Sequence, residues 1–264
     1  QTIIDTTPFK WNRKTYKDYK NYGPTNSVED IIMKSSNVGT IRMALAAGTT
    51  AQKKTLNDLG FFEAVPVELG EASRTKPQIP KNWSDTSTIT ISFGHGISAT
   101  PLHLATAYSI VANGGFRVKP TIKKVNSNNL AKEKVISQKT SQQLISMLRR
   151  VVSEVDGTAK MAKVDGYQVA GKTGTAEKIK PTGGYYDKKV IATFASFFPA
   201  SNPKYTLVVS LDEPEIEVLG ESRRTAGFTA VPVAAEIITR VAPILNLRPI
   251  ATDDAMAYTS ISSQ

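Results

Sequence analysis

The sequence predicts an α+β fold in which an antiparallel sheet is packed between helices. Three observations predict it. Apolar residues recur at helical spacing in several segments of the first 155 residues. The period drops to that of strands between residues 168 and 212, and one more apolar helix follows the strands. Residues 1–5 read as a strand entered in mid-course, and the chain is expected to continue a longer one. Residues 7–24 are polar and aromatic-rich, with Trp11, Tyr16, Tyr19 and Tyr22, and read as loop and short irregular pieces. Thr25, Asn26 and Ser27 offer helix caps, with Asn26 and Glu29 at capping-box spacing, so a short helix is expected to run to about Lys34. A second helix covers residues 38–47, with Ile41, Ala44 and Leu45 on one face and Gly48 at its end. A third, capped by Thr49 or Thr50, stops at Gly60.

Residues 62–93 carry Pro66, Pro77 and Pro80 and little helical period, and read as loops and short strands. Thr100-Pro101 starts a helix with proline in its first turn, which covers 102–112 and ends at Asn113-Gly114-Gly115. Residues 140–155 make the clearest amphipathic helix, with Leu144, Leu148, Val151, Val152 and Val155 at helical spacing and Thr140 and Gln143 as its capping box. Strands follow over 168–178, 190–199 and 205–212. Pro181-Thr182-Gly183-Gly184 has the composition of a turn between the first two. Ser201-Asn202-Pro203 is too short for a helical crossover, so the last two strands are antiparallel. A loop over 213–230 leads to a helix over 233–245, whose final turn Pro243 is expected to distort. Residues 1–245 read as the domain and 246–264 as a polar, loosely attached tail.

A chain of 264 residues fits one domain. Its 33 lysines and arginines against 23 acidic residues leave a net charge of +10, which favours anionic partners. The basic residues are scattered as isolated pairs, such as Lys53-Lys54 and Arg223-Arg224, with no interleaved aromatics. That argues against nucleic acid and for a solvated basic surface. The absence of cysteine excludes disulfides, thiolate nucleophiles and Cys-ligated zinc, and permits an oxidising compartment. Two histidines, His95 and His103, are too few for a His-based metal site without carboxylate help.

Two short strings carry chemistry. Lys172-Thr173-Gly174-Thr175 lies on a predicted strand. Alternation puts Lys172 and Gly174 on one face and Thr173 and Thr175 on the other, and glycine at 174 lets another group approach the strand closely. Read alone, this is also a strand that happens to hold lysine and glycine. Ser35-Ser36-Asn37 lies between two short helices. A turn there can project a hydroxyl as a proton relay and an amide as a clamp, or can simply cap helices.

The two strings, in that order, together with their surroundings, resemble the penicillin-binding proteins and serine β-lactamases, which carry Ser-x-x-Lys, Ser-x-Asn and Lys-Thr-Gly. The closer resemblance is to class B penicillin-binding proteins of the septal, FtsI type. It rests on Lys34-Ser35-Ser36-Asn37-Val38-Gly39, Leu69-Gly70-Glu71-Ala72, Ser92-Phe93-Gly94-His95-Gly96, Ala112-Asn113-Gly114-Gly115, Gly157-Thr158-Ala159-Lys160, the run from Val169 to Lys178, and Asp212-Glu213-Pro214. The resemblance implies the penicillin-binding/β-lactamase-like transpeptidase fold. It implies a peptidoglycan D,D-transpeptidase that cross-links stem peptides at division through a serine acyl-enzyme, with β-lactams as mimics of the D-Ala-D-Ala donor. No cofactor or metal is implied.

Carried over residue by residue, Ser35 relays a proton, Asn37 holds the substrate amide and Lys172 sustains the positive field around Ser35 and the donor carboxylate. Thr173, Gly174 and Thr175 line the donor's carboxylate, and the Thr175 N–H supplies half of an oxyanion hole. His95 and Tyr185 are candidates for the cleft rim. Glu71 is read as structural, and His103 as ordinary packing. The resemblance also implies division-complex partners, a periplasmic location and an inner-membrane anchor outside this chain.

The match fails at the nucleophile. None of the 34 residues before Ser35 read Ser-x-x-Lys. Ser73-Arg74-Thr75-Lys76 falls in a proline-flanked loop and Ser201-Asn202-Pro203-Lys204 in a turn between strands, neither on the buried helix that activates such a serine. The expectation is a domain whose first strands and nucleophile helix belong to a missing N-terminal part of the same polypeptide, and a fragment inactive alone. A D,D-carboxypeptidase or β-lactamase-type hydrolase of the same fold, and a non-catalytic binding module, are the competing readings.

Overall fold

A computed structural model describes residues 2–126 and 130–250; the rest of the predicted tail lies outside them. The chain divides into two compact units, residues 1–147 and 148–264.

In the first unit, β1 (Ile3–Asp5) pairs antiparallel with β4 (Thr25–Ser27). The segment read as irregular contains a hairpin, β2 (Phe9–Trp11) with β3 (Lys14–Tyr16), turning at Asn12 with φ 52°. Asparagine tolerates that left-handed conformation, but no glycine marks the turn. Helix α1 (Val28–Lys34) ends where expected, while its cap is Ser27, whose Oγ accepts the Asp30 N–H at 3.1 Å. Helix α2 (Asn37–Ala47) closes at Gly48 (φ 84°), and α3 (Thr49–Asp58) starts directly after it. Thr49 caps nothing; its hydroxyl bonds that of Thr88 at 2.7 Å.

Residues 62–93, read as loops and short strands, hold a 3-10 turn over Gly70–Arg74 and a full helix, α4 (Asp85–Ser92). Thr-Ile-Thr-Ile alternates like a strand, but the reciprocal Ser84–Ser87 capping box starts a helix and packing against α2 keeps it. The core joining these elements is Tyr16, Ile41 and Ile89, flanked by Phe9, Trp11, Leu45 and Phe93. Helix α5 (Pro101–Ala112) begins with the expected proline, and β5 (Phe116–Val118) pairs with β6 (Lys132–Lys134). Helix α6 (Gln138–Ser153) carries the chain from one unit to the next. Its cap is Ser137, which accepts the Thr140 N–H at 3.0 Å, rather than the Thr140–Gln143 box.

The second unit is built on β7 (Ala170–Ile179), β8 (Tyr185–Phe198) and β9 (Tyr205–Asp212), antiparallel in the order β7-β8-β9 as expected. The end of β8 buries both faces, Phe194 and Phe198 on one and Ala195 and Phe197 on the other. The predicted loop after β9 contains a further hairpin, β10 (Ile216–Val218) with β11 (Glu221–Arg223). Helix α7 (Ala230–Ile244) begins three residues before the expected start and packs on β8 and β9. Its buried stripe, Ala230, Ala234, Ile238 and Ala242, repeats every four residues, and its three alanines let the helix lie close to the sheet. The first residues of the tail are attached: Leu247 is buried, its carbonyl accepts the Tyr167 hydroxyl at 3.3 Å, and the Ile250 N–H reaches Gly166 O at 2.9 Å. No helix among the described residues is long and apolar enough to cross a membrane.

Candidate functional site

Ser35 lies in the turn between α1 and α2, and Asn37 is the first residue of α2. Ser35 ends α1 in the left-handed conformation, φ 60° and ψ 49°, which costs a side-chain-bearing residue about 1 kcal/mol. Its N–H donates to Ile32 O at 3.3 Å, and the Ser36 N–H to Ile31 O at 3.0 Å. Ser36 is the buried residue of the three, while Ser35 and Asn37 on either side are exposed. The Ser36 Oγ accepts the Gly39 N–H at 2.9 Å and donates to Asp18 Oδ2 at 2.6 Å, and Asp18 Oδ1 accepts the Val38 N–H at 3.0 Å. The turn is thus held from a residue 18 positions upstream, which no motif marks.

The two helices meet closely at this turn. A Cβ on Gly39 would lie 2.6 Å from Cγ1 and Cδ1 of the buried Ile31. Gly39→Ala is therefore expected to destabilise the chain by about 1–3 kcal/mol, read as a lower midpoint in urea unfolding at unchanged slope.

His95 stands between Gly94 and Gly96, both at positive φ, with its ring 5.3 Å from that of Phe93. His103 is buried as a packed residue. Thr100 N–H points at its Nδ1 (3.3 Å), so the proton sits on Nε2 and is donated to Glu63 O at 3.0 Å.

Lys172, Thr173, Gly174 and Thr175 all lie on β7, at the edge of the β7-β8-β9 order. Alternation works as expected: Thr173 and Thr175 share a face, where the Thr173 hydroxyl meets that of Thr158 at 2.8 Å and Thr175 Oγ1 accepts the Ala226 N–H at 3.0 Å. Lys172 is half-buried; its Nζ donates to Thr173 O at 3.1 Å. Burial strips water from the ammonium and pulls its pKa down to about 8. Gly171 has no room for a Cβ, which would lie 2.6 Å from Ala195 O, whereas Gly174 is exposed and its nearest neighbour, Thr193 O, would lie 4.0 Å away. The glycine before the lysine is required by packing, and the one after it is not.

At the far end of β7, Lys178 donates to Asp212 and Glu213, both at 2.9 Å, and Lys189 joins Glu213. Those carboxylates raise the Lys178 pKa, and the ion pairs tie β7 to the end of β9 across β8. Tyr185 begins β8 opposite Ile179, exposed at the strand tip. The predicted strand over 168–178 overlaps β7, which runs one residue further, to Ile179. Thr158 carried a signal in its string without a role, and the contact to Ala226 had no signal at all.

The two other Ser-x-x-Lys strings lie off any α-helix. Ser73 is exposed in the 3-10 turn, with its hydroxyl on Gly70 O at 3.4 Å, and Ser201 is exposed between β8 and β9.

The chain matches the model of the penicillin binding protein transpeptidase domain over residues 1–239. It is 32% identical over 248 residues to a probable peptidoglycan D,D-transpeptidase FtsI of Caulobacter vibrioides, an alignment covering 91% of this chain and 42% of that protein. Identity to the peptidoglycan D,D-transpeptidase FtsI of Escherichia coli K12 is also 32%, over 94% of this chain and 41% of that one. Among solved structures, the apo transpeptidase domain of penicillin-binding protein 3 from Burkholderia pseudomallei aligns with a TM-score of 0.84 at 31% identity, covering 94% of this chain and 73% of that one. Penicillin-binding protein 3 of Mycobacterium tuberculosis, complexed with ampicillin, aligns with a TM-score of 0.80 at 28% identity, over 95% and 58% of the two chains. The chain spans about two fifths of the length of the curated relatives it matches.

Proposed function

The chain belongs to the penicillin-binding protein transpeptidase domain family, and on that premise we propose that it supplies the donor-binding and proton-relay part of a septal, FtsI-type peptidoglycan D,D-transpeptidase. The observation that carries the reading is β7. It sets a desolvated lysine beside an open, unhindered glycine, with a threonine on either side of that glycine. A carboxylate laid along that edge meets the Lys172 charge on the face where Gly174 offers no side chain to block it, while the hydroxyls of Thr173 and Thr175 border the edge from the opposite face. Both ligands of this class, the D-Ala-D-Ala terminus and a β-lactam, carry such a carboxylate.

In the reaction, the serine of a Ser-x-x-Lys helix attacks the carbonyl between the two D-alanines. The Thr175 N–H holds the oxyanion, Asn37 clamps the amide, and Ser35 passes the proton to the departing D-alanine amine. The amine of a second stem peptide then attacks the ester, returns its proton through Ser35 and frees the serine. His95 and Tyr185 act at the rim. No cofactor enters. The protein works in the periplasm on an inner-membrane anchor, beside division partners.

Two preparations test this. This chain alone, incubated with excess penicillin, keeps its intact mass, because neither of its Ser-x-x-Lys strings sits on an α-helix. Joined to a Ser-x-x-Lys helix segment, it gains one penicilloyl group, and with stem peptides its acyl-enzyme partitions to an amine acceptor. An adduct on the chain alone would overturn the assignment of roles, and exclusive transfer to water would make it a carboxypeptidase or β-lactamase.

A further inference from the structure

We propose that Asp18 is a positioning residue for Ser35 and Asn37, acting through Ser36 and the first turn of α2. The inference rests on the role given to Ser35 and Asn37 above. The N–H groups at the start of a helix lack intrahelical partners. In α2 the second of these, on Val38, goes to Asp18 Oδ1 at 3.0 Å, and the third, on Gly39, to Ser36 Oγ at 2.9 Å. The Ser36 hydroxyl proton then goes to Asp18 Oδ2 at 2.6 Å. One carboxylate therefore holds both the cap residue and the helix it caps, at the end of the helix dipole that favours negative charge. Asp18 comes from the segment after β3, outside both helices.

The consequence lies in the neighbours. Ser36 is 1% exposed and cannot face substrate, but it fixes the backbone from which Ser35 and Asn37 project to either side. Ser35 is in a left-handed conformation that persists only where the surroundings enforce it. On the α1 side, the enforcement is the pair of N–H bonds to Ile31 O and Ile32 O. On the α2 side, it is Asp18. Without the carboxylate, the Ser36 hydroxyl and the Val38 N–H must find new acceptors, and the easiest route is for the turn to relax toward ordinary backbone angles, which carries the Ser35 hydroxyl and the Asn37 amide away from their working positions.

The test measures penicillin acylation in the polypeptide that joins this chain to a Ser-x-x-Lys helix. Asp18→Ala is expected to slow acylation about 100-fold, the scale of a misplaced catalytic group. Asp18→Asn keeps an acceptor for the Val38 N–H but loses the charge and the second acceptor, and is expected to recover about tenfold of that loss. The control is Ser141→Ala, which removes another buried side-chain bond of the same unit, from Ser141 Oγ to Val111 O at 2.6 Å. It is expected to lower the melting temperature while leaving acylation within about twofold of the parent. Parental acylation in Asp18→Ala, or an equal slowing in Ser141→Ala, overturns the inference. If Asp18→Ala does not fold, Asp18→Asn decides: a parental rate overturns the inference, and a slowed rate with a normal melting temperature supports it. Ser35→Ala separates the two layers. A parental rate there sinks the underlying assignment, whereas a slow Ser35→Ala beside a fast Asp18→Ala sinks this inference alone.

Discussion

Lys172→Met, in a polypeptide that joins this chain to a Ser-x-x-Lys helix, is expected to lower the rate of penicillin acylation by about 1,000-fold, the scale of removing one preorganised stabiliser of transition-state charge. The ammonium of Lys172 is half-buried and has been drawn down to a pKa of about 8, so it remains mostly charged at neutral pH. Above that value the charge is lost, and the positive field that holds a carboxylate on β7 goes with it. Acylation should therefore show an alkaline limb near pH 8 that disappears from the residual activity of Lys172→Met. The same burial has an opposite effect on folding. The unfolded chain, with lysine in its usual range, binds more protons than the folded one between about 8 and 10.5, so stability rises with pH across that window. Below it, the folded state carries the full cost of a desolvated ammonium. Lys172→Met removes that cost, and the variant should melt no lower than the parent at pH 7. A variant that acylates at the parental rate would remove Lys172 from the site. One that loses acylation together with several degrees of melting temperature would make the lysine a structural residue.

That division between folding and chemistry explains what the sequence could show. The strand of Lys172 and the turn of Ser35 were readable because both are local: alternation fixes the faces of β7, and two short helices bracket the Ser-Ser-Asn string. Helices α2, α5 and α6 were readable from periodicity, with ends set by Gly48, Pro101 and the Asn113-Gly114-Gly115 run. Helix α4 was not, because Thr-Ile-Thr-Ile carries the period of a strand, which the Ser84–Ser87 capping box and tertiary packing on α2 together override. The hairpin β10–β11 turns on Leu219 and Gly220, at φ 53° and 76°, and leucine in a left-handed position follows no turn rule. Asp18 was illegible for a different reason. Its partners lie 18 to 20 residues away, and an aspartate in a polar, aromatic segment gives no sign of which helix it will cap.

The glycines of the second unit separate folding from function most sharply. Gly157→Ala is expected to cost about 3 kcal/mol or more, because the clash is with backbone that cannot yield. The new Cβ would stand 2.2 Å from Val151 O and 2.8 Å from its carbonyl carbon. Val151 is fully buried, and its carbonyl already accepts the Ala159 N–H at 3.0 Å. Moving it would disturb the turn that brings Thr158 to Thr173 and, through the close approach of Gly227 to Thr158 O, the segment that brings Ala226 to Thr175. A methyl group there should lower the urea midpoint and slow acylation together. Gly174→Ala should do the reverse. Its Cβ meets only Thr193 O at 4.0 Å, its φ is ordinary, and alanine is a slightly better strand residue than glycine, so the melting temperature should hold or rise slightly. The methyl would occupy the space along β7 where a donor carboxylate and acyl carbonyl must lie, and penicillin acylation should fall by about 10- to 100-fold for a displacement of that size. If Gly174→Ala acylates normally, the ligand does not lie along β7 at this residue. If it melts early, the glycine serves packing that the open space around it does not reveal.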